Sequence, residues 1–349
     1  SSEDKLAAGI EKQYPGSAYL DYIDDKLFLL SKVGITAYAK INQNELNFIQ
    51  IKNNINEFIG YKQFQKGNWF SVKDLKIIDN KVYVSYTDEK LNNCWNTSII
   101  VADINYENLN FKHLFRSNEC IDQFFNEDNE FSAHQSGGKI IDYDENHILL
   151  TVGDYRQRKF AQINKSVFGK IIKINLNNIN YEIIATGIRN SQGIVYNRDE
   201  EIIIFSSQGP HGGDEINLID LNISKLPNFG WPISSYGEHY GGRIEKNKTK
   251  YEKYPLYKSH ADYEFIEPIK YFKESIEPSE IIKIKENNYI LSSLKAKTLF
   301  FFSLTDNKIE NFREIYIGER IRDIIIQNNI IYLFLEDTSS IGKIIIHDN

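Results

Sequence analysis

Methionine is absent from the 349 residues, and cysteine and proline are scarce, with two and seven. No function follows from the missing methionine. Two cysteines, Cys94 and Cys120, cannot build a zinc site of four thiolates, and they are not a Cys-x-x-Cys redox pair. On residues alone they are either one disulfide or two buried thiols. No Pro- or Ser-rich linker divides the chain, so one domain over residues 1–349 is expected, although length alone suits two. Basic residues are fewer than acidic ones, 41 against 48, for a net charge of −7. That excludes a general nucleic-acid binder, which needs a basic surface to neutralise phosphates. Apolar runs such as Ile330–Leu335 fall far short of the ~20 residues that span a bilayer, so no membrane span is expected.

The chain does have apolar content: 41% of residues are hydrophobic and 26% charged, enough to bury a core. Helical periodicity is hard to find. Strand signals are frequent, as runs of four to eight Ile, Val, Tyr and Phe bounded by Asn, Asp and Gly. A polar turn leading into an apolar strand recurs six times. The units are Asp25-Lys26 into 27–30, Asn80-Lys81 into 82–86, Asn146-His147 into 148–152, Glu200-Glu201 into 202–205, Asn288-Tyr289 into 290–292 and Asn329-Ile330 into 331–335. Five steps from Leu27 to Ile331 average about 61 residues, a span that suits one four-stranded blade with loops. A six-bladed β-propeller is therefore expected. Spacing alone leaves a large β-sandwich or two small β domains open.

Chemistry-bearing residues concentrate between Ser132 and Trp231. In order they are Ala133-His134-Gln135-Ser136-Gly137-Gly138, Thr151-Val152-Gly153-Asp154 and Gly187-Ile188-Arg189-Asn190-Ser191-Gln192-Gly193. Ser207-Gln208-Gly209-Pro210-His211-Gly212-Gly213-Asp214-Glu215 and Asn228-Phe229-Gly230-Trp231-Pro232 follow. Taken singly they are bland. A loop His is usually solvated, Gly-Asp and Gln-Gly-Pro form ordinary turns, and a loop Arg usually sits in a surface ion pair. As an ordered series they resemble the glucose/sorbosone dehydrogenase family, which includes soluble quinoprotein glucose dehydrogenases and aldose sugar dehydrogenases. Ser293-Leu294-Lys295 and Glu319-Arg320-Ile321-Arg322-Asp323 also look alike. The likeness covers roughly residues 130–337 and is loose before that.

The resemblance implies a six-bladed propeller that uses pyrroloquinoline quinone (PQQ) and calcium. It makes His134 the base that takes the proton of an aldose C1 hydroxyl while hydride passes to the quinone, as a neutral imidazole can. It sets Asp154 beside His134, fixing its tautomer. Arg189 and Asn190 would contact the quinone oxygens, where a guanidinium stabilises developing charge. Gln208 would belong to the cofactor pocket, and the Gly209 and Pro210 carbonyls would hold calcium, a cation that prefers hard oxygen ligands. Asp214 would support that site, while Glu215 could simply pair with a cation. Lys295, Arg320 and Arg322 would bind the three PQQ carboxylates by charge-assisted bonds. Arg-Ile-Arg on a strand puts both guanidinia on one face, often a solvent face. A lactone product, an external electron acceptor and a periplasmic or secreted location follow from the same resemblance. So does a Cys94–Cys120 disulfide, expected across loops of the second and third blades.

Departures fall on the substrate side. Gly67-Asn68-Trp69-Phe70 replaces a Gly-Leu-Leu-Gly stretch, Ala133 stands where glucose-specific members have Asp, and Tyr271-Phe272-Lys273-Glu274-Ser275 replaces a Trp-Pro region. Glucose specificity is therefore not carried over. A propeller that binds a carbohydrate or protein partner without catalysis is the alternative reading. A calcium-dependent lactonase fits less well, because it has no need of Lys295, Arg320 and Arg322.

Overall fold

The computed structural model describes residues 16–41 and 45–346. Its strands form six small sheets, antiparallel apart from one short parallel pairing. The first sheet is β1 (Ala18–Ile23), β2 (Lys26–Ser31), β3 (Thr36–Lys40) and β4 (Ile49–Asn53). The second is β5 (Val72–Ile78), β6 (Lys81–Leu91) and β7 (Cys94–Asp103). Short β8 (Asn108–Leu109) then runs parallel to β4, while β9 (Lys112–Phe115) and β10 (Ile121–Asp122) pair with β7. The third holds β11 (Gly137–Asp144), β12 (His147–Val152), β13 (Lys170–Asn175) and β14 (Tyr181–Ala185). The fourth holds β15 (Gly193–Asn197), β16 (Ile202–Ser207), β17 (Asp214–Asp220) and β18 (Lys270–Phe272). The fifth holds β19 (Pro278–Lys283), β20 (Asn288–Ser293), β21 (Thr298–Thr305) and β22 (Lys308–Tyr316), and the sixth β23 (Ile321–Gln327), β24 (Ile330–Leu335) and β25 (Ser340–Ile345). First strands of successive sheets are neighbours, and β1 lies against β23, so the sheets close into a ring. This is the expected six-bladed propeller. No described helix is long and apolar enough to cross a membrane.

The six polar-turn units are the hairpins between the first and second strands of the blades. At Asp79-Asn80 and Asn328-Asn329 both turn residues have positive φ, the geometry that matches strand twist and favours Asn and Asp. Second strands carry continuous apolar runs because each blade face packs on the next blade. Ile202–Ser207, for example, is buried at every position. Outer strands such as β22 are largely exposed.

The ring is tied at its axis by charge. Lys139 of β11 is buried and reaches Asp74 of β5 (2.8 Å), Asp323 of β23 (3.4 Å) and Glu280 of β19. The carboxylates accept backbone N–H bonds from Leu20 of β1 to Asp323 (2.7 Å), Ile140 of β11 to Asp74 (2.8 Å) and Ile194 of β15 to Glu280 (3.3 Å). All six first strands thus touch one network. The β5, β11, β19 and β23 pairings each shift register beside these four charged residues. Such bulges re-aim a side chain out of the pleat.

Cys94 and Cys120 form a disulfide. It does not run between the second and third blades as expected. Cys94 opens β7, and Asp122 of β10 pairs with it, so the bridge stays inside the second blade. It fixes the base of the segment leading to His134.

Candidate active site

At one end of the axis, segments leading into the first strand of each blade meet segments leaving the second strand. They enclose a cavity of about 690 Å³, within the range of small-molecule sites. Seven cationic side chains line it against three carboxylates, Asp214, Glu277 and Glu336. The excess is positive in a chain whose net charge is negative. Of the ten catalytic, cofactor and metal-site residues expected from the sequence, eight line it: His134, Arg189, Gln208, Gly209, Pro210, Lys295, Arg320 and Arg322; the supporting Asp214 does so as well.

His134 sits in a single 3-10 turn, Ala133–Gln135, before β11. Its carbonyl accepts from Asn190 Nδ2 (3.2 Å) and Gln192 Nε2 (3.3 Å), which fixes the turn. Its ring opens to the cavity, edge-on to Trp69 with centroids 6.0 Å apart. Enclosure by the walls, and then the charges of Lys73, Arg322, Lys32 and Arg156, lower its pKa to about 3. It is a neutral imidazole at pH 7.

Asp154 lies behind the wall, fully buried. It accepts from Trp231 Nε1 (2.8 Å) and Arg156 N (2.9 Å). With the Gln135 amide oriented to satisfy both ends, Gln135 donates to Asp154 (3.0 Å) and accepts from Arg189 and Arg156. No hydrogen bond joins Asp154 to the His134 ring. The chain turns through positive φ at Tyr155 and Arg156, and Asp154 holds that turn and Gln135. Its link to His134 runs through the neighbouring Gln135. Asn190 is likewise behind the surface, donating to Gln208 Oε1 (2.9 Å) and accepting from Gly137 N (3.0 Å).

Arg189 is buried, and its Nη1 donates to the carbonyls of Gln208 (2.9 Å) and Gly209 (2.8 Å). Asp214 accepts from Gly209 N (2.7 Å) and from Ile276 and Glu277 N, which anchors the segment. Gly209 has no room for a side chain: a Cβ would lie 2.2 Å from the Gly212 carbonyl oxygen. The Gln208 and Gly209 carbonyls converge on the Arg189 guanidinium, and each keeps a second lone pair, the kind of hard oxygen calcium takes. Among the described residues, no cluster of three or more His, Cys, Asp or Glu side chains is placed for a metal. Backbone ligands do not need one. Glu215 faces away, 3.3 Å from His260 Nε2.

Arg320 and Arg322 flank Ile321 and point the same way, into the cavity rather than to open solvent. Arg322 Nε is 2.5 Å from Glu336, and Arg320 bonds Glu336 (3.1 Å) and Glu277 (3.1 Å). Burial would raise the Glu336 pKa, but Arg322, Arg320 and the Ser17 hydroxyl bring it to about 2. Lys295 stands exposed at the rim. Three cations of two blades thus converge on one wall, matching a polyanionic ligand.

Sequence reasoning missed Lys32, Lys73, Arg156, Glu277 and Glu336. Lys73 gave no distinct signal, because Asp74 and Lys76 put two further charges on its strand. Glu336 had one, a polar residue directly after a second strand, where Gln208 also stands and Asp154 follows one residue later. Of the substrate-side departures, Asn68 and Trp69 line the cavity, while Ala133 is buried. Tyr271 stacks on Tyr236 outside it, and of that segment Ser275 lines the wall.

The chain is 26% identical over 215 residues to aldose sugar dehydrogenase YliI of Escherichia coli, a match covering 55% of this chain and 54% of that one. It therefore spans about half the length of the curated relatives it matches. The apo soluble aldose sugar dehydrogenase of Escherichia coli superposes with a TM-score of 0.70 at 18% identity, covering 94% of this chain and 95% of that one. The PQQ-bound aldose sugar dehydrogenase of Streptomyces coelicolor superposes at 0.68 and 16%, covering 94% and 89%. A profile of the glucose/sorbosone dehydrogenase family matches residues 77–345. With the motif series and the propeller that gathers it, that match places the chain in the glucose/sorbosone dehydrogenase family.

Proposed function

We propose that this protein is a PQQ- and calcium-dependent sugar dehydrogenase that oxidises an aldose at C1 to the lactone. The observation that carries the reading is the convergence of eight separately identified residues, from 134 to 322 in the chain, on one cationic cavity. Arg320, Arg322 and Lys295 would hold carboxylates of the cofactor, and Arg189 with the Gln208–Pro210 segment its quinone edge and the metal. When bound, PQQ supplies the two-electron acceptor for the departing hydride, and calcium polarises it as a Lewis acid.

The chain's own work is positioning and proton transfer. His134, neutral and open to the cavity, accepts the C1 hydroxyl proton on a ring nitrogen. Asn190 and Gln192 hold its backbone, so the ring stays aimed at the same point. Arg189 is fixed by two carbonyls before any ligand arrives, so it needs little reorganisation to meet developing negative charge. An external acceptor then takes the electrons. The disulfide supports an oxidising, periplasmic or secreted location.

The test is reconstitution. Protein treated with PQQ and calcium should develop the absorption of a bound quinone and reduce an electron-accepting dye when aldoses are added. Absence of PQQ binding at saturating calcium would leave the non-catalytic propeller as the reading.

A further inference from the structure

We infer that the sugar oxidised here carries a negative charge of its own, a carboxylate or a phosphate, held by Lys32, Lys73 and Arg156 beside His134. The inference rests on the dehydrogenase reading and names its substrate class. It starts from an imbalance of charge. Arg320 and Arg322 have carboxylate partners in Glu336 and Glu277. Lys32, Lys73 and Arg156 line the same cavity and have no acidic partner among the described residues. The cofactor reading leaves all three unused.

Their positions are built. The Lys32 carbonyl accepts from Val72 N (2.9 Å), so Lys32 sits next to Lys73 across the first and second blades. Lys73 is buried, and its ammonium donates to the Trp69 carbonyl (3.0 Å), beside the ring that meets His134. Gly138 makes room for it, because a Cβ there would lie 2.4 Å from Lys73 Cβ. Arg156 is aimed by two consecutive non-glycine residues with positive φ, 52° and 66°. That conformation persists only where the surroundings impose it. Its Nε reaches the Gln135 amide oxygen (3.0 Å), one residue from His134.

A buried ammonium without a counter-ion is unfavourable. Desolvation, with Arg322 and Lys32 as the charged groups facing it, lowers the Lys73 pKa to about 7. An anion placed between Lys32 and Lys73 would reverse that, so binding at pH 8 should take up a proton. A neutral aldose offers these groups nothing of comparable strength.

The experiment is calorimetric titration of the full chain, treated with PQQ and calcium, using glucuronate, glucose 6-phosphate and glucose in buffers of different ionisation enthalpy. At least one acidic sugar should bind about tenfold tighter than glucose or better, with proton uptake. Comparing the two acids tells carboxylate from phosphate. Lys73→Met should abolish the uptake and most of the preference. Lys32→Gln, at a half-buried site, should cut the preference by about tenfold and covers the case in which the first variant does not fold. Equal or tighter binding of glucose overturns the inference. So does a Lys73→Met variant that loses PQQ affinity while its sugar preference is unchanged, because the cation would then serve the cofactor. Acid-sugar binding without any PQQ binding would instead sink the dehydrogenase reading and keep the anion site.

Discussion

His134 is enclosed by the cavity walls and stands among cations, so its imidazolium is disfavoured, and negative charge entering the cavity relieves the second of these effects. Bound anions would raise its basicity and couple the proton step to ligand occupancy. His134→Gln is expected to keep PQQ affinity within twofold and to lower turnover by ~10²- to 10⁴-fold. Calorimetry and steady-state rates on the same preparation check both halves, and near-normal kcat would remove His134 as base. Arg322→Ala should weaken PQQ binding by ~1.5–3 kcal/mol, the worth of a hydrogen bond to a charged group. Glu336 is a third residue with a measurable signature. Its pKa falls from an ordinary 4.5 to about 2 in the fold. Its stabilisation is complete above about pH 4.5 and is lost as pH falls from there through about 2. Glu336→Gln should therefore flatten the acid limb of Tm against pH, and an unchanged limb would show that its pairing with Arg322 contributes nothing.

Among the elements, the second blade carries the most added hardware. Its disulfide closes a loop with a sequence separation of 26 at the foot of the 121–133 segment. Replacing both cysteines by Ser should cost about 3 kcal/mol, chiefly by freeing the unfolded chain. Hydrogen exchange should rise first in 121–133, and turnover should fall with it because His134 ends that segment. Uniform acceleration across all six blades would contradict the local role. Second strands and their leading turns were legible as sequence, because burial on both faces demands unbroken apolar runs and the hairpins demand Asn, Asp or Gly. The segments between strands were legible only where a motif marked them. Trp69, Lys73 and Arg156 had no motif, and their placement depends on the Gly138 gap and the Tyr155-Arg156 turn.

For the whole molecule, closure of the ring is the event that makes the site. Lys139 neutralises part of the charge of Asp74, Glu280 and Asp323 at the axis, and burial pushes the Asp74 and Glu280 carboxyls up. Lys139→Met would leave three buried carboxyls without their cation. A loss of about 3–5 kcal/mol is expected, read as a lower denaturant midpoint, with part of it recovered in acid as the carboxyls take protons. A loss within 1 kcal/mol would show that backbone N–H groups alone support the plug. The amino-acid sequence by itself determined the all-β class, the six repeats, the family and eight of the residues that line the cavity, because strand burial and chemically special loops leave local patterns. The tertiary structure alone decided that Asp154 supports Gln135 rather than bonding the His134 ring, that the disulfide stays within one blade, and that Lys32, Lys73 and Arg156 line one cavity around His134. Those facts depend on where side chains from distant blades point once the ring closes, and spacing along the chain does not encode that direction.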